Sequence, residues 1–258
     1  MIETLEIDHP KCKATVALQG AQLISWQPVG EDKSILWCTD KVFWTPGKPI
    51  RGGVPLCWPW FGKAKQPSHG FARLLNWSLV ERQNQIDAVH LLFELKDNLI
   101  TRELWPWPFL ARVRMVLGKT CLVEFEVDCQ QDSTGALHTY LQVSDVDGVN
   151  IAGLGKDYQD ALEHNERKTG NSVLRVDKAL DRIYTSPDKS TTLNDPFCKR
   201  EIRQLHQGHS DIVVWTPWEK GTSNLTDVNA DDYRQFICVE TAAINQPLVS
   251  PMSVTISC

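Results

Sequence analysis

The chain has 258 residues, 42% of them hydrophobic, enough to bury a sizeable core as one folded unit over 1–258. A formal net charge of -5 repels phosphate backbones and acidic headgroups, which excludes a general attraction to nucleic acid or anionic membrane. No apolar stretch approaches bilayer-spanning length.

The opening MIETLEIDHP lacks the basic start and apolar run of a signal peptide. The eight cysteines form no CxxC pair and no metal-like spacing, and Cys57, Cys121, Cys129 and Cys238 lie in apolar runs. Both features predict a reducing compartment, the cytoplasm.

Alternating apolar and polar residues begin at Leu5–Asp8, Ala14–Leu18 and Gly20–Trp26. Next comes a rigid aromatic stretch, Ile50–Gly62, with Arg51 at its start and two glycines behind it. A second arginine closes Ser68-His69-Gly70-Phe71-Ala72-Arg73. Arginine suits phosphate because its planar fork makes paired, charge-assisted hydrogen bonds. By spacing alone, pairing of each arginine with a surface carboxylate is the better explanation.

Further strands are predicted at 77–80, 88–95, 109–117, 122–127 and 136–143. On the 136–143 strand, Leu137, Thr139, Leu141 and Val143 share an oily face, while His138, Tyr140, Gln142 and Ser144 share a polar one. An imidazole there titrates near neutrality and can carry a proton. The stretch 157–166 reads as a short helix, and the polar 185–210 as an insertion between strands. Strands resume at 173–176, 212–215, 236–241 and 254–256. The 236–241 strand places Glu240 in apolar surroundings, where burial pushes a carboxyl pKa upward and suits it to act as a base.

Ten tryptophans include the pairs Trp58/Trp60, Trp105/Trp107 and Trp215/Trp218. Core packing accounts for any one of them; indoles near prolines are also placed to line a sugar cleft. His206-Gln207-Gly208-His209 has two metal-type ligands, but Gly breaks a helix and nothing completes a set. Neither a P-loop nor a dinucleotide fingerprint is present, so no metal and no cofactor is expected. Many short strands with Gly/Pro turns give an all-β class, a large antiparallel sandwich or barrel.

The ordered set of segments resembles the aldose 1-epimerase (galactose mutarotase-like) superfamily, and within it the hexose-6-phosphate branch. The matching segments are Gly20-Ala21-Gln22, Ile50–Gly62, His69–Arg73, His138-Thr139-Tyr140, Asp181–Tyr184, Val214–Trp218 and Cys238–Thr241. Two positions depart from the branch pattern: Ser68 stands where Gln is frequent, and Thr216 where Asn usually precedes Pro-Trp.

The resemblance implies a large antiparallel β-sandwich and interconversion of the α and β anomers of a hexose 6-phosphate, glucose 6-phosphate first. It implies Glu240 as general base and His138 as general acid, which requires an ionised Glu240 beside a charged His138. It implies Arg51 and Arg73 at the phosphate, Asp181 on sugar hydroxyls and His69 near the ring oxygen. The partner is then a small sugar phosphate taken by a monomer, with no nucleic acid and no membrane. Two other readings share the fold: a non-catalytic sugar-binding protein and a mutarotase of free hexoses.

Overall fold

The alternation in the sequence becomes antiparallel sheet because one side of each strand is oily and the other is not. In Leu110–Gly118, Val113, Met115 and Leu117 are buried. Their neighbours Arg112 and Arg114 point outward and pair with Glu94 and Glu124, each at 2.9 Å. A sheet with one such face must cover it against another layer.

The computed structural model describes residues 2–40 and 45–258. Its strands form three antiparallel sheets of three, eight and nine strands. The three-stranded sheet joins Thr4–His9, Cys12–Ala17 and Gln22–Pro28. The nine-stranded sheet runs from Val173–Arg175 at one edge to Ser78–Asn84 at the other. One continuous core, including Leu23, Trp26, Phe93, Met115, Val239 and Val254, draws on all three sheets. No helix among the described residues is long and apolar enough to cross a membrane.

The eight-stranded sheet carries Phe236–Ala243 near its middle, and all eight residues of that strand are buried. Asp211–Thr216 pairs with one edge of it; the short strands Gly135–Leu137 and Tyr140–Gln142 pair with the other.

Three local expectations change. The segment 157–166 is a hairpin, Asp157–Asp160 with Glu166–Thr169, joined through a 3-10 turn at Ala161–Glu163. The helical reading came from that turn alone. The polar 185–210 segment holds the hairpin Ser190–Asp195 and Arg200–Gln207 within the nine-stranded sheet. Its polarity lies on both faces: in Arg200–Gln207 every second residue, Ile202, Gln204 and His206, is buried, and two of those three are polar. The third change concerns the strand bearing His138, which is interrupted at the site itself.

Candidate active site

Alternation along Phe236–Ala243 sends Ile237, Val239 and Ala243 into the main core. Phe236 and Cys238 pack on the other side with Trp37 and Tyr140, and Ala242 packs there with Cys57 and Val213. Glu240 therefore projects from the outer face, opposite the inter-sheet core.

The register places its partner. Thr241 pairs with Leu137 and Cys238 with Tyr140. Counting inward from both sides sets Glu240 opposite His138 and Val239 opposite Thr139. Side chains of directly opposed residues lie on one face and within reach of each other. Accordingly His138 Nε2 stands 3.3 Å from Glu240 Oε1, with both residues buried.

The strand is broken at this point. The His138 N–H donates to the Pro55 carbonyl and the Tyr140 N–H to the Gly53 carbonyl, both at 2.9 Å, in the register of the Leu56–Cys57 strand, so the irregularity is at Thr139. The Thr139 N–H folds back onto the Leu137 carbonyl, also at 2.9 Å. His138 and Tyr140 still share the site face, with their rings stacked at 4.9 Å. Gln142 and Ser144, expected beside them, line a separate surface cavity of about 600 Å³ with Lys33 and Arg200.

Burial sets the electrostatics. It pushes the Glu240 carboxyl well above its ordinary range, and the nearby Asp181 pushes it the same way. Burial also pushes the His138 imidazole well below its ordinary range, with His69, Arg73 and Arg51 adding to the effect. A neutral imidazole beside a protonated carboxyl holds the same single proton as an imidazolium beside a carboxylate. The charged pair expected from sequence is thus one tautomer of a shared-proton pair, and burial favours the neutral one. His138 Nδ1 and Glu240 Oε2 are buried with no hydrogen-bond partner among the described residues.

Around the pair stand the other expected residues. Asp181 lies opposite Trp215, and Trp215 opposite Cys238, so the three share one row across the sheet face. Burial, then the charge of Asp160, raises the Asp181 carboxyl to about 6. The half-buried Trp215 meets His138 edge-on at 6.0 Å and Tyr140 at 6.2 Å. His69 lies 5.8 Å from His138 and is lowered to about 3 by burial and by Arg73 and Arg51.

Both arginines thus act on the same two imidazoles. Arg51 Nε donates to Asp227 at 3.1 Å, and its NH1 lies 3.4 Å from the Tyr140 hydroxyl. Arg73 donates from NH2 to the Ser68 carbonyl at 2.8 Å, while its buried Nε has no partner among the described residues. Arg51 thus pairs with the partly exposed carboxylate of Asp227, the alternative its spacing left open, whereas Arg73 donates to a backbone carbonyl.

The motif residues around them build the frame. Gln22 is fully buried and donates to the carbonyls of Ile50 and Gly52, which fixes the loop that presents Arg51. Gln19 donates to the Lys48 carbonyl and accepts from the Gly47 N–H. Gly53 has φ +64, and a Cβ there would fall 2.0 Å from the Leu23 carbonyl oxygen. Only glycine permits that approach.

Trp58 and Trp60 are buried and donate to Ser133 and to the Pro67 carbonyl, so they belong to the frame and not to a cleft wall. Sequence reasoning missed Asp227, which lies in a loop without periodicity. Tyr140 was legible on the polar face of His138, and Trp215 as one of the paired indoles, but no role was assigned to either. Among the described residues no group of His, Cys, Asp or Glu is arranged to hold a metal.

Known proteins give a consistent comparison. Residues 3–251 match the family described as aldose 1-epimerase. A Salmonella typhimurium protein named "Putative glucose-6-phosphate 1-epimerase" is 38% identical over 252 residues, 95% of this chain and 85% of its own length. An Escherichia coli protein of the same name is 38% identical over 93% of this chain and 83% of its own. A crystal structure described as a "putative mutarotase" from Salmonella typhimurium superposes with a TM-score of 0.96 at 36% identity, covering 99% of this chain and 90% of that one. A galactose 1-epimerase from Lactobacillus acidophilus shares the fold at a TM-score of 0.67 and 13% identity, over 100% of this chain and 98% of that one.

Proposed function

The chain belongs to the aldose 1-epimerase family, and from that premise we propose that it interconverts the anomers of glucose 6-phosphate, with Glu240 and His138 as the proton pair. Membership makes it an isomerase acting on a small sugar. The single observation that carries the residue assignment is the 3.3 Å contact between His138 and Glu240 on one sheet face.

The reaction runs from the charged tautomer of the shared-proton pair, in which Glu240, as carboxylate, removes the proton from the C1 hydroxyl. His138, as imidazolium, gives a proton to the ring oxygen. The bond between C1 and the ring oxygen breaks, leaving an aldehyde at C1 and a hydroxyl at C5. Rotation about C1–C2 turns the other face of the carbonyl to that hydroxyl. Closure returns the proton from C5 oxygen to His138 and the proton from Glu240 to the new C1 hydroxyl. The pair ends as it began, so no proton is consumed.

The unpartnered Nδ1 and Oε2 are acceptor or donor positions for sugar hydroxyls. Asp181, on the same face, is placed for a further hydroxyl, and Trp215 offers an indole for the apolar C–H face of the ring. Arg73 supports the phosphate reading most directly, since its buried Nε is unpaired. Arg51 contributes a second positive charge that is partly offset by Asp227. The name shared by the Salmonella and Escherichia relatives supports the same substrate.

Steady-state anomerisation of glucose 6-phosphate and of free glucose tests the phosphate assignment. Arg73→Met is expected to cost about 10²-fold in kcat/KM on the phosphate ester and little on glucose, with Arg51→Met costing less. Equal losses on both sugars would refute a phosphate role for these arginines.

A further inference from the structure

We propose that Gln204 and His206, on the nine-stranded sheet behind the site, are positioning residues that hold Glu240 within reach of His138. This rests on the proton-pair reading of Glu240 and His138.

The interruption at His138 leaves a gap in the ladder. Val239 and Thr139 are opposite each other, and the Val239 N–H still donates to the Thr139 carbonyl at 3.1 Å. In a regular antiparallel pair the Thr139 N–H would return the bond to the Val239 carbonyl. It is instead turned to Leu137. The Val239 carbonyl is buried and needs a donor. Gln204, 1% exposed, reaches across the sandwich and donates its Nε2 to that carbonyl at 3.1 Å.

His206 acts one residue past Glu240. Its Nδ1 lies 2.8 Å from the Thr241 hydroxyl and its Nε2 3.0 Å from the Thr191 hydroxyl, all three residues being buried. Burial lowers this imidazole to about 3, so it is neutral and offers one donor and one acceptor to the two hydroxyls. The strand is therefore tied from behind at Val239 and at Thr241, on either side of Glu240. Apolar packing is indifferent to small slides along a strand, whereas two directed bonds are not. The bond that the Thr139 N–H withholds from Val239 is replaced by a donor from the facing sheet. The pair His206/His209, suggestive of metal ligands by type, has this role for its first member.

The test is anomer exchange of glucose 6-phosphate, with kcat and KM separated, for Gln204→Met, His206→Phe, His206→Gln and, in parallel, Glu240→Gln. The Met and Phe variants are expected to lose about 10- to 100-fold in kcat with KM within about twofold of wild type. His206→Gln keeps a donor and an acceptor and is expected to recover most of the loss. Wild-type kcat in Gln204→Met or His206→Phe, even with a lowered unfolding temperature, overturns the proposal, since the contacts then serve stability alone. If His206→Phe does not fold, Gln204→Met and the rescue by His206→Gln decide. Unchanged exchange in Glu240→Gln would overturn the reading beneath the proposal. Loss in Glu240→Gln beside full activity in the other three would overturn the proposal alone.

Discussion

Asp181 shows how the site trades stability for chemistry at the level of one residue. Its carboxyl is raised from 3.8 to about 6 by burial and by Asp160. The folded chain thus keeps a proton that the unfolded chain has released. The stability this proton brings is complete below 3.8 and is lost as pH rises through about 6. Asn cannot ionise, so Asp181→Asn is expected to gain melting temperature over wild type at pH 8 relative to pH 4. Equal differences at the two pH values would show that the carboxyl is not strained by burial. The general direction of this logic was legible in the chain: Glu240 in an apolar strand announced a raised carboxyl. The shared proton was not, because it depends on His138 facing Glu240, and nothing in 136–143 or 236–241 alone states their pairing. Asp227 was equally invisible, since its meaning comes only from Arg51, 176 positions away.

At the scale of elements, the site depends on places where regular sheet stops. The loop after the aromatic stretch turns at His69, φ 62, and Gly70, φ 74. A Cβ on Gly70 would stand 2.0 Å from the Trp58 carbonyl oxygen and 2.8 Å from the Pro59 nitrogen. Gly70→Ala should therefore destabilise the fold by about 3 kcal/mol or more in chemical denaturation, since rigid backbone cannot yield. A change below about 1 kcal/mol would mean the loop relaxes freely. The strands themselves were well marked by alternation, from 88–95 and 109–117 through 212–215 to 236–241. The break at His138 was not, because no Gly or Pro marks it. It is confined to Thr139, whose N–H turns back to the Leu137 carbonyl instead of meeting Val239. The hairpin at 190–207 was obscured for a different reason: with one face in solvent and Gln204 and His206 inward, its oily signal is thin.

The whole molecule is a set of antiparallel sheets closed over one core, with histidines held neutral between and upon them. His69 and His206 are both lowered from 6.5 to about 3, chiefly by burial, and His138 lies well below 6.5 for the same first cause. Above 6.5 these imidazoles are neutral folded or unfolded. As pH falls from 6.5 toward 3 the unfolded chain takes up protons that the folded one refuses, and stability is lost progressively. Asp181 pulls the other way over this range, so the histidine contribution is read as a difference: as pH falls from 6.5 to 5 the unfolding temperature of His206→Gln is expected to rise relative to wild type, and an unchanged difference would contradict neutral burial of His206. The proposed chemistry is narrower than the fold: Glu240 and His138 exchange protons with the anomeric centre. Magnetisation transfer between the α and β anomers of glucose 6-phosphate measures that directly. The wild type should exchange them well above the buffer rate, with Glu240→Gln and His138→Asn each slower by about 10²-fold or more. Exchange no faster than buffer in the wild type, or undiminished in Glu240→Gln, would contradict it.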